Sequence, residues 1–264
     1  MIPFNPPIRA LILDMDGVLW RDHEPIGDLP TLFARMASLG LRVILATNNA
    51  TRSVASYLEK LAGFGVTLEP WQIITSSQAT AQYLKTQHPE GGHVFVVGEA
   101  GLVEALSERG FTAETDGHPV HTVVAGMDRR LTYEKLAQAT LLIRGGAAFV
   151  GTNPDRSFPT PAGLVPGAGS ILALLETATD VSPTIIGKPG PIMYQQAIER
   201  LGTAPEETLA VGDRLETDIL GGQNTFCKTA LVLSGVATLA QASAWQPAPD
   251  LIADDLTAVL DSLS

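Results

Sequence analysis

The chain has 264 residues, 45% of them hydrophobic, and a formal net charge of −11. That supplies a sizeable core for one or two domains, and it is too acidic for nucleic-acid binding, which rests on clustered Lys and Arg. A single cysteine, Cys227, excludes an intrachain disulfide and favours a reducing compartment; in its apolar surroundings it reads as a small buried side chain.

At the N-terminus, Arg9 interrupts the pattern of a secretory signal, and the first apolar run stops at Asp14. No apolar stretch approaches the ~18 residues that span a bilayer. The expectation is a cytoplasmic protein with no membrane partner. Along the chain, short apolar runs read as strands: ALILDM (10–15), RVILAT (42–47), HVFVVG (93–98), TVVAGM (122–127), AAFVGT (147–152), TIIG (184–187), TLAVGD (208–213), KTALVLS (228–234) and LIAD (251–254). Segments with helical spacing lie between them, at 29–40, 53–65, 78–87, 101–110, 132–146, 170–180 and 191–202, and several stop at Gly. Strands alternating with helices predict an α/β protein with parallel sheets. Nine strands exceed one small sheet. The polar stretches KTQHPEGGH (85–93) and TATDVSPT (177–184) read as linkers bounding an inserted module. The expected organisation is a discontinuous core, 1–86 and 183–264, carrying an insert at 87–182.

In doubly wound sheets, ligands bind beyond the carboxyl ends of the strands. Those ends carry Asp14 and Asp16; Thr47, Asn48 and Asn49; Lys188; and Asp213, with Asp218 five residues on. A lone Asp there is usually a turn former or a helix cap, and a helix N-terminal carboxylate is a serious rival reading of Asp218. Four polar strand ends on one sheet are hard to explain as turns. Converging carboxylates repel unless a cation sits among them, and oxygen-only ligands suit Mg²⁺ together with a substrate phosphate. Lys188 would add fixed positive charge, and Thr47 and the backbone N–H groups near Asn48 would add neutral donors. Such a set suits a phosphoryl group, with one carboxylate as nucleophile and a second as general acid and base.

The order DMDGVL (14–19), TNN (47–49), GKPGP (187–191) and GDRLETD (212–218) resembles the four motifs of the haloacid dehalogenase superfamily. SSQATAQYL (76–84), GTNPDRSFPTPAGLVPGAGS (151–170) and GDRLETDI (212–219) narrow the resemblance to its NagD-like, p-nitrophenyl-phosphatase-like branch, over nearly the whole chain. It implies a Rossmann-like doubly wound core with an inserted α/β cap domain. It also implies a Mg²⁺-dependent phosphatase of small phosphomonoesters working through an aspartyl-phosphate. By resemblance, Asp14 is the nucleophile and Asp16 the acid and base, whose backbone carbonyl also reaches the metal. Asp213 is a metal ligand, and Asp218 helps directly or through water. Thr47, Asn48 and Asn49 form the phosphate-binding turn, Lys188 pairs nucleophile and phosphate, and Gly17 starts a mobile turn. Caps of this type often mediate dimers, so a homodimer stays open. Two departures, Gly190 where the family usually has an acidic residue after Lys-Pro and NTFCKT at 224–229, touch no catalytic position.

Other stretches carry less. HPVH (118–121) has no second cluster at zinc spacing and is not read as a metal site. VVGEAGLVEAL (96–106) is a strand-to-helix turn without nucleotide spacing. In PGAGS (166–170), Ser170 is expected to cap a helix. NPDRSFP (153–159) reads either as a loop stiffened by two prolines or as a substrate-facing loop with Arg156 or Phe158 meeting the leaving group. Rival activities on the same motifs are a phosphotransferase or mutase, a dehalogenase, and a non-catalytic phospho-acceptor or binding module. Sugar phosphates, nucleotides, phosphoglycolate and pyridoxal phosphate are the substrate classes in view.

Overall fold

The computed structural model describes residues 4–113, 117–160 and 162–263. The chain clusters into two compact units, one of residues 1–47, 54–74 and 189–264, the other of residues 48–53 and 75–188.

The first unit is built on a six-stranded sheet in the order Leu251–Ala253, Lys228–Val232, Thr208–Gly212, Ala10–Leu13, Arg42–Thr47, Ile73–Thr75. Ala10–Leu13 pairs in parallel with Thr208–Gly212 on one side and Arg42–Thr47 on the other. Its four residues are all buried, so it reads as an unbroken apolar run, as a central parallel strand should. Alternate side chains part to opposite faces. Leu11 and Leu13 join a core with Leu32 and Met36 of Leu29–Ser38, Tyr57 and Leu61 of Val54–Gly63, and Val259 and Leu260 of Leu256–Leu263. Helix Pro191–Leu201 also packs on Ala10–Leu13 and Arg42–Thr47. The sheet is therefore a Rossmann-like, doubly wound one. From Ala10–Leu13 the chain moves outward to one side, then returns to build the other. The strand order reverses between Ala10–Leu13 and Thr208–Gly212, and such a switch point leaves a crevice beyond the strand ends.

The second unit has a five-stranded parallel sheet in the order Thr184–Ile185, Ala148–Gly151, Thr122–Ala125, Gly92–Val97, Phe111–Ala113. Phe95, Val123, Ala125 and Phe149 pack with Ala139 and Ile143 of Tyr133–Arg144 and with Leu172 and Leu175 of Ala168–Thr179. An antiparallel hairpin, Ser157–Thr160 with Gly163–Pro166, follows the Ala148–Gly151 strand. All nine expected strands form.

Several details differ from expectation. Ser170 does not cap its helix: Gly167 does, and Ser170 lies in the first turn, donating its hydroxyl to the Arg156 carbonyl at 2.7 Å. The compact units do not follow the expected boundaries. Helix Ser76–Gln87 falls in the second unit, as do residues 183–188, because the Ile186 and Gly187 N–H groups bond to Gly151 and Thr152. NPDRSFP is a tight turn leading into a strand rather than a plain loop. Pro161 of the longer stretch lies outside the described residues. Cys227 is buried, and burial pushes its thiol up to about 11, so it stays protonated and inert. No helix among the described residues is long and apolar enough to cross a membrane.

Candidate active site

In the first unit, Asp14 follows the register pair Leu13–Val211 directly, and its N–H bonds to the Val211 carbonyl at 2.9 Å. Asp213 lies just past the end of Thr208–Gly212 and is 2% exposed. Asp218, also 2% exposed, sits in a π-turn, Leu215–Ile219, a form common at functional sites. Each of the three offers a carboxylate oxygen within 4.8 Å of the others, and they are the one such group of three or more metal-ligating side chains among the described residues.

Glycines make the approach feasible. A Cβ at Gly17 or Gly235 would collide with the Asp213 carboxylate, and one at Gly212 with Asp218. Gly17 also has φ +86°, which favours glycine. The Val236 N–H donates to Asp213 Oδ2 at 2.8 Å, and the Arg214 N–H to Asp218 Oδ2 at 3.1 Å. Three carboxylates, two of them nearly buried, are thus gathered within 4.8 Å of one another. Like charges in low dielectric need a cation, and an all-oxygen donor set suits a hard divalent one. The residues fit a metal of that kind.

Asp16 stands apart from this group. It is exposed, and its Oδ1 accepts a 2.8 Å bond from Trp20 Nε1. Trp20 is fully buried, with Lys60 Nζ 4.0 Å from its ring centroid. The residues between Asp16 and Trp20 form a tight turn, with the Gly17 N–H bonded to the Trp20 carbonyl at 2.7 Å and Ser234 Oγ donating to the Gly17 carbonyl at 2.7 Å. Sequence reasoning singled out neither Trp20 nor Gly235. Local spacing carries no sign of a glycine distant in sequence whose missing Cβ makes room for Asp213.

Thr47 ends its strand, 4% exposed. In the second unit, Lys188 is 3% exposed and Asn48 is 9% exposed. The side chain of Asn48 is engaged by protein: Oδ1 accepts from the Lys188 N–H at 2.8 Å, and Nδ2 donates to the Lys188 carbonyl at 2.9 Å. Asn49 Oδ1 accepts from the Thr51 N–H and hydroxyl at 2.9 and 2.7 Å, a local turn-forming pattern. Arg156 is exposed while its carbonyl is pinned by Gly167 and Ser170; Phe158 is half-buried and pairs across the hairpin with Val165. The HPVH histidines are stacked on other histidines, His121 on His88 at 3.8 Å and His118 on His93 at 4.7 Å between centroids.

The haloacid dehalogenase-like hydrolase family matches residues 11–112, and a HAD-hydrolase-like family matches residues 185–259. An acid sugar phosphatase of Staphylococcus aureus is 40% identical over 231 residues, 88% of either chain. The structure of p-nitrophenyl phosphatase from Archaeoglobus fulgidus is similar with a TM-score of 0.91 at 30% identity, over 97% of this chain and 100% of that one. NagD from E. coli K-12 is similar with a TM-score of 0.87 at 32% identity, over 95% and 97%. The chain belongs to the haloacid dehalogenase-like hydrolase family, in its NagD-like and p-nitrophenyl-phosphatase-like branch.

Proposed function

We propose that the chain is a Mg²⁺-dependent phosphatase that hydrolyses small phosphomonoesters through an aspartyl-phosphate on Asp14. The activities named for its relatives support a phosphatase of small phosphoesters, and sugar phosphates lead the candidate substrates. The observation that carries the reading is the Asp14, Asp213 and Asp218 cluster at the switch point of the parallel sheet. Residues 1–86 and 183–264 act as the catalytic core and residues 87–182 as its cap.

When bound by Asp14, Asp213 and Asp218, with the Asp16 backbone carbonyl, Mg²⁺ supplies charge neutralisation for a phosphoryl group. An Asp14 oxygen attacks phosphorus and the ester oxygen leaves, protonated by Asp16. Asp16 then takes a proton from the water that attacks the aspartyl-phosphate, releasing phosphate and restoring Asp14. The Trp20 N–H holds Asp16 Oδ1, so Oδ2 is the oxygen left to carry the proton. Thr47 and the backbone at 48–49 supply neutral donors to the phosphoryl oxygens, and Lys188 supplies fixed positive charge. Arg156 and Phe158 are assigned to the leaving group. The single buried thiol fits work in the reducing cytoplasm. A panel of sugar phosphates, nucleotides, phosphoglycolate and pyridoxal phosphate, assayed with Mg²⁺ and again with excess EDTA, tests this. Phosphate release that stops in EDTA and returns with Mg²⁺, but poorly with Ca²⁺, supports it. Release unaffected by chelator contradicts the metal assignment, and silence with every ester favours a binding module.

A further inference from the structure

Asn48 looks from sequence like a phosphate ligand, but its side-chain amide is committed elsewhere. Pro189 has no N–H and Lys188 lies in a turn, so the ladder that continues through Ile186 and Gly187 ends there. Asn48 takes over. Its Oδ1 accepts the Lys188 N–H at 2.8 Å and its Nδ2 donates to the Lys188 carbonyl at 2.9 Å, much as a neighbouring strand would. The same Nδ2 faces both carboxylate oxygens of Asp155, at 3.2 and 3.3 Å. The amide has only one satisfactory orientation, since a flip would set like groups face to face at Lys188 and Asp155.

The backbone around Asn48 is fixed as well. Its carbonyl accepts from Ser76 Oγ at 2.6 Å and Asn153 Nδ2 at 2.8 Å, and Asn153 Oδ1 accepts the Asp155 N–H at 3.1 Å. Gly187 leaves the necessary gap: a Cβ there would lie 2.6 Å from Asn48 Oδ1 and 2.6 Å from the Thr152 carbonyl. Asp155 immediately precedes Arg156 and the hairpin Ser157–Thr160 with Gly163–Pro166.

We propose that Asn48 and Asp155 form a positioning pair for Lys188: the amide fixes the lysine's backbone, and the carboxylate fixes the amide. This rests on the phosphatase reading for its kinetic consequence, and it leaves any phosphate contact of residue 48 to its backbone N–H. It also ties the base of the 157–166 hairpin to the lysine.

The test uses the full chain with Mg²⁺, an aryl phosphate, and the rate of Lys188 acylation followed by peptide mass spectrometry. Asn48→Asp turns the donor facing Lys188 and Asp155 into a negatively charged acceptor. It should lower kcat by about 10- to 100-fold, the size of losing a buried polar pairing, with KM moving less than about threefold. Lys188 acylation should speed up by a similar factor. The exchange Asn48→Asp with Asp155→Asn restores a donor opposite an acceptor between residues 48 and 155 only, with an oxygen still facing the Lys188 carbonyl, and should recover part of the lost kcat. Should Asn48→Asp fail to fold, the milder pair decides. Asp155→Ala should lower kcat and speed Lys188 labelling, whereas Asp155→Asn, which keeps an acceptor, should stay near wild type. A defect confined to KM and to inhibition by inorganic phosphate, with labelling unchanged, would make Asn48 a direct phosphate ligand. Equal behaviour of Asp155→Ala and wild type in both readouts would remove Asp155 from the pair. A wild-type chain inactive on every ester defeats the phosphatase reading instead, while the labelling rates still judge the clamp.

Discussion

The two parallel sheets end their strands in acidic residues, but they treat the charge in opposite ways. In the second unit, Glu99 and Asp128 follow Gly92–Val97 and Thr122–Ala125, and each carboxylate has its own cation. Glu99 meets the Arg129 guanidinium twice at 2.6 Å, and Asp128 meets Lys135 Nζ at 2.6 Å. The Arg129 bonds hold the Glu99 carboxyl below its usual range despite partial burial. In the first unit, Asp14, Asp213 and Asp218 are instead brought within 4.8 Å of one another. Acidic strand ends are thus not a signature in themselves. Glu99 and Asp128, each paired with a side-chain cation, brace the fold, whereas the three carboxylates gathered on one another, admitted by glycines at 17, 212 and 235, offer an all-oxygen donor set that suits a divalent cation.

Breaking the gathered set should have the largest effect. Asp14→Asn should abolish turnover, by at least about 10³-fold, because an amide is no nucleophile. Its melting temperature without metal should hold or rise as one of three repelling charges goes. A folded variant that still turns over would place the nucleophile elsewhere. Asp16→Asn should cost on the order of 10²–10⁴ with alkyl esters and less with p-nitrophenyl phosphate in single-turnover phosphorylation, whose leaving group needs little protonation. An equal defect for both esters would deny Asp16 the role of leaving-group acid.

Glycine substitution sharpens the contrast without touching a carboxylate. Gly235→Ala should weaken metal binding and lower stability by about 1–3 kcal/mol, since its Cβ overlaps the Asp213 carboxylate. In the second unit, Lys135→Ala strips the cation from a buried Asp128 and should cost about 1–3 kcal/mol in thermal melts, leaving kcat unchanged. A kcat loss there would blur the division between bracing pairs and site.

The smallest effect expected is with pH. Burial, then the charges of His88 and His93, hold the His121 imidazole below its usual value. The unfolded chain therefore binds its proton first. Stability is full above about pH 6.5 and falls as pH drops below it towards the lowered folded value. Melts at pH 7.5 and 5.5 should show a smaller acid loss for His121→Gln than for wild type, and an equal loss would discharge His121 from that role.

Much of this was legible in sequence for physical reasons. Buried parallel strands are uninterrupted apolar runs, so all nine expected strands appear, and the motif residues mark where those runs stop. The hairpin at 157–166 was not foreseen, because Pro159 argues against strand pairing except at an edge. Ile73–Thr75 is only three residues long, and the Trp20–Arg21 and Glu24–Pro25 strands only two. Asp16, Asp213 and Lys188 were found because each sits within three residues of a strand end. Trp20, Gly235 and Asp155 were not, because their importance lies in contacts that spacing does not encode: an indole N–H on Asp16, a missing Cβ beside Asp213, a carboxylate on the Asn48 amide.

The central claim is that the gathered carboxylates hold a divalent cation, and calorimetric titration of Mg²⁺ into the metal-free chain tests it most directly. Wild type should bind one Mg²⁺ per chain, and Asp213→Asn, with a folded near-ultraviolet spectrum, should show little or no binding in the same range. Equal Mg²⁺ binding by Asp213→Asn and wild type would contradict the account.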